Sequence, residues 1–386
     1  MNAAPAPTLR DVVDLLHAWY PPGTADDWDA VGLVAGDPDR PVRTVVFAVD
    51  PTEAVAREAV ELGADLLVVH HPLFLKPVHG VAATTPKGRT LHVLTQGGCA
   101  LLTAHTNADQ ALTGVSESLA LALGLRDLQP LVPAGSALME HLVAYVPHTH
   151  AEAVREALAG AGAGQWGDYD SASFSSTGQG RFRPLPGAQP HTGTVGRAEV
   201  VEETRIEAVV PPGRRAAVVA ALRAAHPYEE PAFHVVETLS TEPVATGTGR
   251  VGEIEPCTLA EFAQRVARAL PVTAQGVRVA GDPERQVRRV ALCGGAGDFL
   301  LDRVAGSDAD VYLTSDLRHH PAAEFVEQGG PALVDVAHWA AEWTWLPRVA
   351  ARLAAALGDT VSTHVSTLRT DPWTFRVGAR EEGDLR

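Results

Sequence analysis

At 386 residues the chain is too long for one ordinary hydrophobic core, so two or three domains are expected. A composition of 46% hydrophobic and 20% charged residues suits a soluble globular protein. A net charge of -16 argues against a nucleic-acid backbone as the main partner, and three cysteines without CxxC spacing argue against a disulfide framework or zinc ribbon. No basic start followed by an apolar run opens the chain, and no apolar run reaches membrane-spanning length, so the expected location is the cytoplasm.

In chain order, Asp11 to Trp19 has apolar residues at helical spacing and is stopped by Pro21-Pro22-Gly23. Val31 to Val34 reads as a short strand and Arg43 to Asp50 as a clear one with an acidic exit. A helix over Thr52 to Leu62 follows, started by Pro51 or Thr52. Leu66-Leu67-Val68-Val69 is a strand buried on both faces; it delivers His70-His71 at its exit and is stopped by Pro72. The strand–helix–strand alternation predicts a right-handed crossover and a largely parallel sheet. A helix over Gly88 to Gln96 leads to a second buried strand, Cys99 to Ala104, with His105-Thr106-Asn107-Ala108-Asp109 at its exit. Gly114 to Gly124 is helical, and Leu131 to Gly135 looks like a linker.

From about His141 the character changes. Leu142 to Val146 alternates as a strand, Ala151 to Ala159 is helical, and Gly160 to Gly180 is a Gly/Ser-rich stretch. A strand over Ile206 to Val210, a helix over Arg214 to Ala225, the turn His226-Pro227-Tyr228-Glu229-Glu230-Pro231 and a strand over Phe233 to Leu239 complete a ferredoxin-like α+β pattern. After Arg250 the α/β rhythm returns. Thr258 and Glu261 have capping-box spacing at the head of a helix to Leu270. Arg288 to Leu292 is a strand that runs into Cys293-Gly294-Gly295-Ala296-Gly297-Asp298, read as a tight turn rather than a phosphate cradle. Val311 to Leu313 exits at Thr314-Ser315-Asp316, with His319-His320 beyond it. Ala332 to Val334 exits at Asp335, and His338 and Glu342 follow one helical turn apart. The expected organisation is an α/β body in two lobes, residues 1–135 and 248–386, interrupted by an inserted domain over 136–247.

The chemistry-bearing residues collect at the ends of buried strands, where α/β sheets gather ligands. Each has a plainer reading as a satisfied strand end or helix cap. Taken together, His70, His71, Asp109, His338 and Glu342 offer three imidazoles and two carboxylates. That set suits Zn, Mn, Fe, Co or Ni rather than calcium or a thiolate zinc site. Five ligands are too many for one open catalytic zinc and enough for two cations sharing a carboxylate, an arrangement that activates water. Asp29, Asp316, Asp50 and His105 are candidates to support the ligands or move protons, and for Asp50 the strand-end reading is the stronger. His320 is a second candidate for proton transfer.

These residues resemble the NIF3-like family, also called GTP cyclohydrolase 1 type 2 homologs or dinuclear-metal-centre hexameric proteins. The resemblance is carried by Asp27-Trp28-Asp29-Ala30-Val31-Gly32-Leu33, His70-His71-Pro72-Leu73, the 105–109 run, Leu313-Thr314-Ser315-Asp316 with His320, and Asp335-Val336-Ala337-His338 with Glu342. The middle segment resembles a PII- or CutA-type insert through residues 162–164, Gly167-Asp168-Tyr169, Gly178-Gln179-Gly180 and the His226–Pro231 turn. The resemblance implies two divalent metal ions per chain, Glu342 as the bridge between them, and a toroidal homohexamer with the sites facing an internal cavity. Ala30, Ser315 and Ala337 depart from the family's usual Asn, Gly and Gly. Two functions follow as expectations: a metal-dependent hydrolase acting on a nucleotide or phosphorylated small molecule, or a non-catalytic metal-binding regulator that senses through the insert. Metal storage or delivery is a third.

Overall fold

The computed structural model describes residues 5–134, 139–211, 213–238 and 245–378. Contacts divide the chain into two units, one of Met1–Ala134 with Val244–Arg386 and one of Gly135–Pro243. In chain order the first unit opens with α1 (Leu9–Trp19), β1 (Gly32–Ala35), β2 (Thr44–Ala48), α2 (Glu53–Glu61), β3 (Leu66–Val69), α3 (Pro86–Gly97), β4 (Ala100–Thr103), α4 (Thr106–Gln110), α5 (Val115–Ala122), β5 (Arg126–Gln129) and β6 (Val132–Pro133). The second unit holds β7 (Glu140–Pro147), α6 (Ala151–Gly160), β8 (Ser173–Phe182), β9 (Glu199–Val210), α7 (Arg215–Ala225) and β10 (Phe233–Glu237). The first unit resumes with β11 (Gly247–Thr248), β12 (Arg250–Thr258), α8 (Leu259–Ala269), β13 (Val277–Ala280), β14 (Gln286–Ala296), α9 (Leu301–Ala305), β15 (Val311–Ser315), α10 (His319–Glu327), β16 (Ala332–Val336), α11 (His338–Trp343), α12 (Trp345–Leu357) and β17 (Ser362–Val365).

Two mixed sheets build the first unit. One has the order β1-β4-β3-β2-β17, parallel except for β1; the other has the order β13-β16-β15-β14-β12-β5, with β14, β15 and β16 parallel. The central strands β3, β4, β15 and β16 are buried at every position because both faces are covered. Alternate residues divide between two layers. Val45, Phe47, Leu66 and Val68 join Val290, Leu292, Leu313 and Val334 in one large cluster, to which α1, α5, α8, α11 and α12 contribute. Val46, Ala48, Leu67 and Val69 face the other way, onto Val55, Ala56 and Ala59 of α2 and Leu94 of α3. The caps match the local chemistry: Thr8 and Thr258 each form a full capping box, and Thr52 and Thr85 cap α2 and α3 through their hydroxyls.

Arg250 is 1% exposed and ties the unit together. Its guanidinium donates to the carbonyls of Gly247, Gly249 and Ala111 at 2.7, 2.8 and 2.7 Å, and lies 3.5 Å from Glu117. The chain returning from the insert is thereby fixed to the α4–α5 connection.

The second unit is a βαββαβ arrangement with the antiparallel order β10-β7-β9-β8, the fourth strand lying beside the first. That is the ferredoxin-like order. Val154 and Leu158 of α6 and Val218 and Leu222 of α7 pack on Leu142, Ala144, Val146, Ile206, Ala208 and Val210. The His226–Pro231 segment is a turn built by its own histidine. His226 Nδ1 accepts from the Tyr228 N–H at 3.0 Å, which leaves Nε2–H to donate to the Tyr145 carbonyl at 3.0 Å.

Several expectations are corrected here. The Gly/Ser-rich stretch ends in the ten-residue strand β8, which runs two residues beyond it; the strand's side chains are almost all exposed, so it carries no apolar period. The predicted linker at Leu131 includes β6, which pairs with Gly247–Thr248 of β11; Gly135 lies outside the described residues. The strand predicted to Leu239 ends at Glu237, and Leu239 also lies outside the described residues. The run 293–296, read as a turn, continues β14 through a register shift between Leu292 and Ala296.

Candidate metal centre

The exits of β3 and β4, the start of α11 and the irregular end of β14 converge on one pocket in the first unit. His70 follows β3 and is fully buried. Its Nδ1–H donates to the Ala104 carbonyl at 2.9 Å, so the Nε2 lone pair turns inward. Nε2 stands 3.4 Å from Glu342 Oε1 and 3.7 Å from Asp109 Oδ1. His71 Nδ1 is held by Asp50 at 2.7 Å, and its Nε2 lies 3.1 Å from Glu342 Oε2. His338 Nδ1 is held by Asp316 at 2.7 Å, and its Nε2 lies 2.8 Å from Glu342 Oε1. His105 Nδ1 is held by Asp29 at 2.8 Å, while the other oxygen of Asp29 accepts from the N–H and hydroxyl of Thr106 at 3.0 and 2.6 Å.

Four imidazoles thus share one construction: an oxygen on Nδ1 fixes the ring, and Nε2 is left for the pocket. Such outer oxygens on ligating histidines are the usual support of a metal site. Among the described residues, two groups have all their ligand atoms within 4.8 Å of one another: His70, His71 and His105, and His71, His338 and Glu342. Two donors each about 2.1 Å from one tetrahedral ion lie roughly 3.4 Å apart, which is the range of spacings found here. Among the described residues, His70 Nε2 and Asp109 Oδ1 are buried without a hydrogen-bond partner. Buried polar atoms left unpaired in this way are costly unless something else binds them. The residues therefore fit a divalent metal.

The backbone makes room for the cluster. Gly295 has φ +73°, and a Cβ there would stand 2.6 Å from Glu342 Oε1 and 3.3 Å from His338 Nε2. Its carbonyl accepts from the Thr314 hydroxyl at 3.0 Å, and that of Gly297 from the Tyr312 hydroxyl at 3.0 Å, which pins the bulged end of β14. Asp316 adopts φ +58°, a left-handed conformation costly for most residues and tolerated by Asp, and so reaches His338. Asn107 sets the β4 exit, accepting from the His105 N–H at 2.9 Å and donating to the Tyr20 carbonyl at 2.7 Å.

Protonation follows from burial set against these pairings. Burial opposes the charge on His71 and His338, yet Glu342 with Asp50 or Asp316 outweighs it, raising His71 well above the usual imidazole range and His338 to about 10. Burial also works against Glu342, and the three imidazoles hold it well below the usual carboxylate range. Asp109 is pushed up to about 6, chiefly by burial. Burial, then the neighbouring His70 charge, lowers His105 to about 4. Without metal, protonated His71 and His338 face the Glu342 carboxylate, so a cation entering the cluster takes the place of those protons.

All five predicted ligands fall in or beside this pocket, with Asp29 and Asp316 behind them. Asp50, read as a strand-end residue, instead holds His71. His105 stands among the imidazoles rather than behind them, with ring centres 5.1 Å from His70 and 5.5 Å from His71. His320 lies elsewhere, on the exposed face of α10 against His319, and no hydrogen bond or ion pair joins it to the cluster among the described residues. Sequence reading missed Gly295, whose signal was only a glycine run after a strand. Of the three departures from the family pattern, Ala337 has φ -64°, so its methyl costs nothing, and Ala30 donates its N–H to Asp29 at 2.7 Å. Ser315 is buried with its hydroxyl unpaired.

A model of the Duf34/NIF3 (NGG1p interacting factor 3) family matches residues 7–372. The chain is 50% identical over 369 residues to a Mycobacterium tuberculosis protein named "GTP cyclohydrolase 1 type 2 homolog", covering 95% of this chain and 97% of that one. It is 37% identical over 377 residues to a Streptomyces coelicolor protein of the same name, covering 97% and 96%. Among solved structures it is similar to a Bacillus cereus protein related to NIF3, with 36% identity, TM-score 0.67 and coverage of 97% and 100%. A Staphylococcus aureus protein, SA1388, matches with 26% identity, TM-score 0.76 and the same coverage. With the match running through both lobes and every residue of the cluster, the chain belongs to the Duf34/NIF3 family.

Proposed function

We propose that the cluster holds two divalent cations, with Glu342 as the bridge and His70, His71, Asp109 and His338 as the other ligands, and that the protein is a metal-dependent hydrolase of a nucleotide or phosphorylated small molecule. The observation that carries this reading is the common build of the imidazoles, each with Nδ1 anchored and Nε2 inward around a doubly placed carboxylate. A bound pair of cations would supply an activated water and stabilise charge on a phosphoryl or carbonyl oxygen. Asp50 and Asp316 keep two ligands in the correct tautomer. His105, with its pKa lowered to about 4, is a neutral base at pH 7 and can take or return a proton at Nε2. Trp28, half exposed and edge-on to His105 at 5.9 Å, offers a flat surface beside it for a ring of the substrate. The name borne by the curated relatives supports a nucleotide substrate.

The test is turnover of GTP and a set of phosphoesters with Mn or Zn, comparing the unmodified chain with Glu342→Ala. Loss of turnover in the variant is expected; unchanged turnover would end the reading. A regulatory role is the second reading, favoured by the βαββαβ order of the insert, which we compare with PII- and CutA-type domains. A chain lacking the insert keeps turnover if the protein is an enzyme, and loses its ligand response if it is a sensor. The assembly we propose is a homohexamer, checked by sedimentation of the full chain.

A further inference from the structure

The second unit contains a cavity of about 600 Å³ that the metal chemistry leaves unused, lined by β8, β9, residues 184–192 and the His226–Pro231 turn. Ordinary small-molecule sites span roughly 300–1,000 Å³, so the space suits a ring system rather than a lone cation. Tyr145, Phe182 and Tyr228 line it with aromatic surface, the last two with ring centres 5.8 Å apart. Glu203 lines it from β9; among the described residues no ion pair engages its carboxylate, and the Tyr228 hydroxyl lies beside it. Three of the other charged groups lining it have partners of their own: Arg205 pairs with Glu207 at 3.1 Å, Arg181 donates to the Gln179 amide oxygen at 2.9 Å, and Glu229 accepts from the Gln189 N–H at 2.9 Å. A Cβ at position 180 would collide with the Glu203 carboxylate, so Gly180 of β8 leaves space for it. The Tyr228 hydroxyl is buried beside the Glu203 carboxylate and Thr192. Burial, then the Glu203 charge, pushes its pKa up to about 12, so it remains a neutral hydroxyl.

We propose that this cavity binds a flat nitrogen heterocycle that presents paired N–H donors to Glu203 and packs its rings against Tyr145, Phe182 and Tyr228. A carboxylate accepts two parallel N–H bonds from such an edge, and an acceptor with no cation of its own favours a donor-rich ligand over an anion. Aromatic walls favour a planar partner, and the Tyr228 hydroxyl beside Glu203 supplies a second polar contact on it. The motif His-Pro-Tyr-Glu-Glu then has a purpose: His226 forms the turn and Tyr228 is what the turn presents.

The experiment is calorimetric titration of the full chain with 2-aminobenzimidazole and with guanosine, both of which carry the donor edge. Binding of at least one is expected, with affinity lowered about tenfold or more by Glu203→Gln, the loss expected for a hydrogen bond to a charged group. A smaller loss is expected for Tyr228→Phe, and no change for Glu342→Ala, which disables only the metal centre. Thermal unfolding of each variant establishes that it is folded. The proposal is overturned if neither compound binds, if folded Glu203→Gln binds as tightly as the unmodified chain, or if Glu342→Ala abolishes binding and so places it at the metal centre.

Discussion

Single side chains decide the protonation of the cluster. In the metal-free chain His338 keeps its proton to about pH 10, against 6.5 ordinarily, so its contribution to stability is complete below pH 6.5 and is lost as pH rises through 10. Glu342 is depressed from 4.5, so its contribution is present above pH 4.5 and lost as pH falls through its lowered value. His105 acts oppositely. It is lowered from 6.5 to about 4, so its need to stay neutral costs nothing above pH 6.5 and up to about 3 kcal/mol by pH 4. His105→Gln should therefore flatten the loss of metal-free stability between pH 6.5 and 4 in chemical denaturation. An unchanged profile would contradict the assignment. Metal must displace the His338 proton, so its apparent affinity should rise from pH 6 to 9 with proton release visible by calorimetry in buffers of different ionisation heat. Asp50→Asn and Asp316→Asn should each lower metal affinity by about 10–100-fold without unfolding the chain, measured by competition with a chelator.

At the scale of elements, the strand ends and turns are what bring the ligands together. Gly295→Ala places a methyl 2.6 Å from Glu342 at φ +73° and should cost at least about 1 kcal/mol in denaturant unfolding and reduce metal content. Arg250→Met orphans three buried carbonyls and should cost about 3 kcal/mol by the same measurement. The elements that place the site were the legible ones. Leu66–Val69 and Ala100–Thr103 are short apolar runs with polar exits, and such strands announce both their burial and their ends. Strand β8 was not legible, because Ser173–Phe182 has no apolar face. Nor was the bulge at Gly295, since a glycine pair marks a departure from regular backbone without saying which. Asp50 was misjudged for a related reason: an acidic strand end looks the same in sequence whether it faces water or an imidazole at the exit of the next strand.

Across the whole molecule, one feature organises the first unit: residues from position 29 to position 342 meet in one pocket through two mixed sheets sharing a core. The family match spans 7–372 and so takes in all of these residues. The βαββαβ unit has its own core and its own cavity. The claim on which the account rests is tested most directly by elemental analysis of the full chain purified without oxygen, alongside Glu342→Ala. About two equivalents of a divalent transition metal per chain, lost in the variant, is the predicted result. A chain that carries none after such handling, and takes up none when it is supplied, would contradict it.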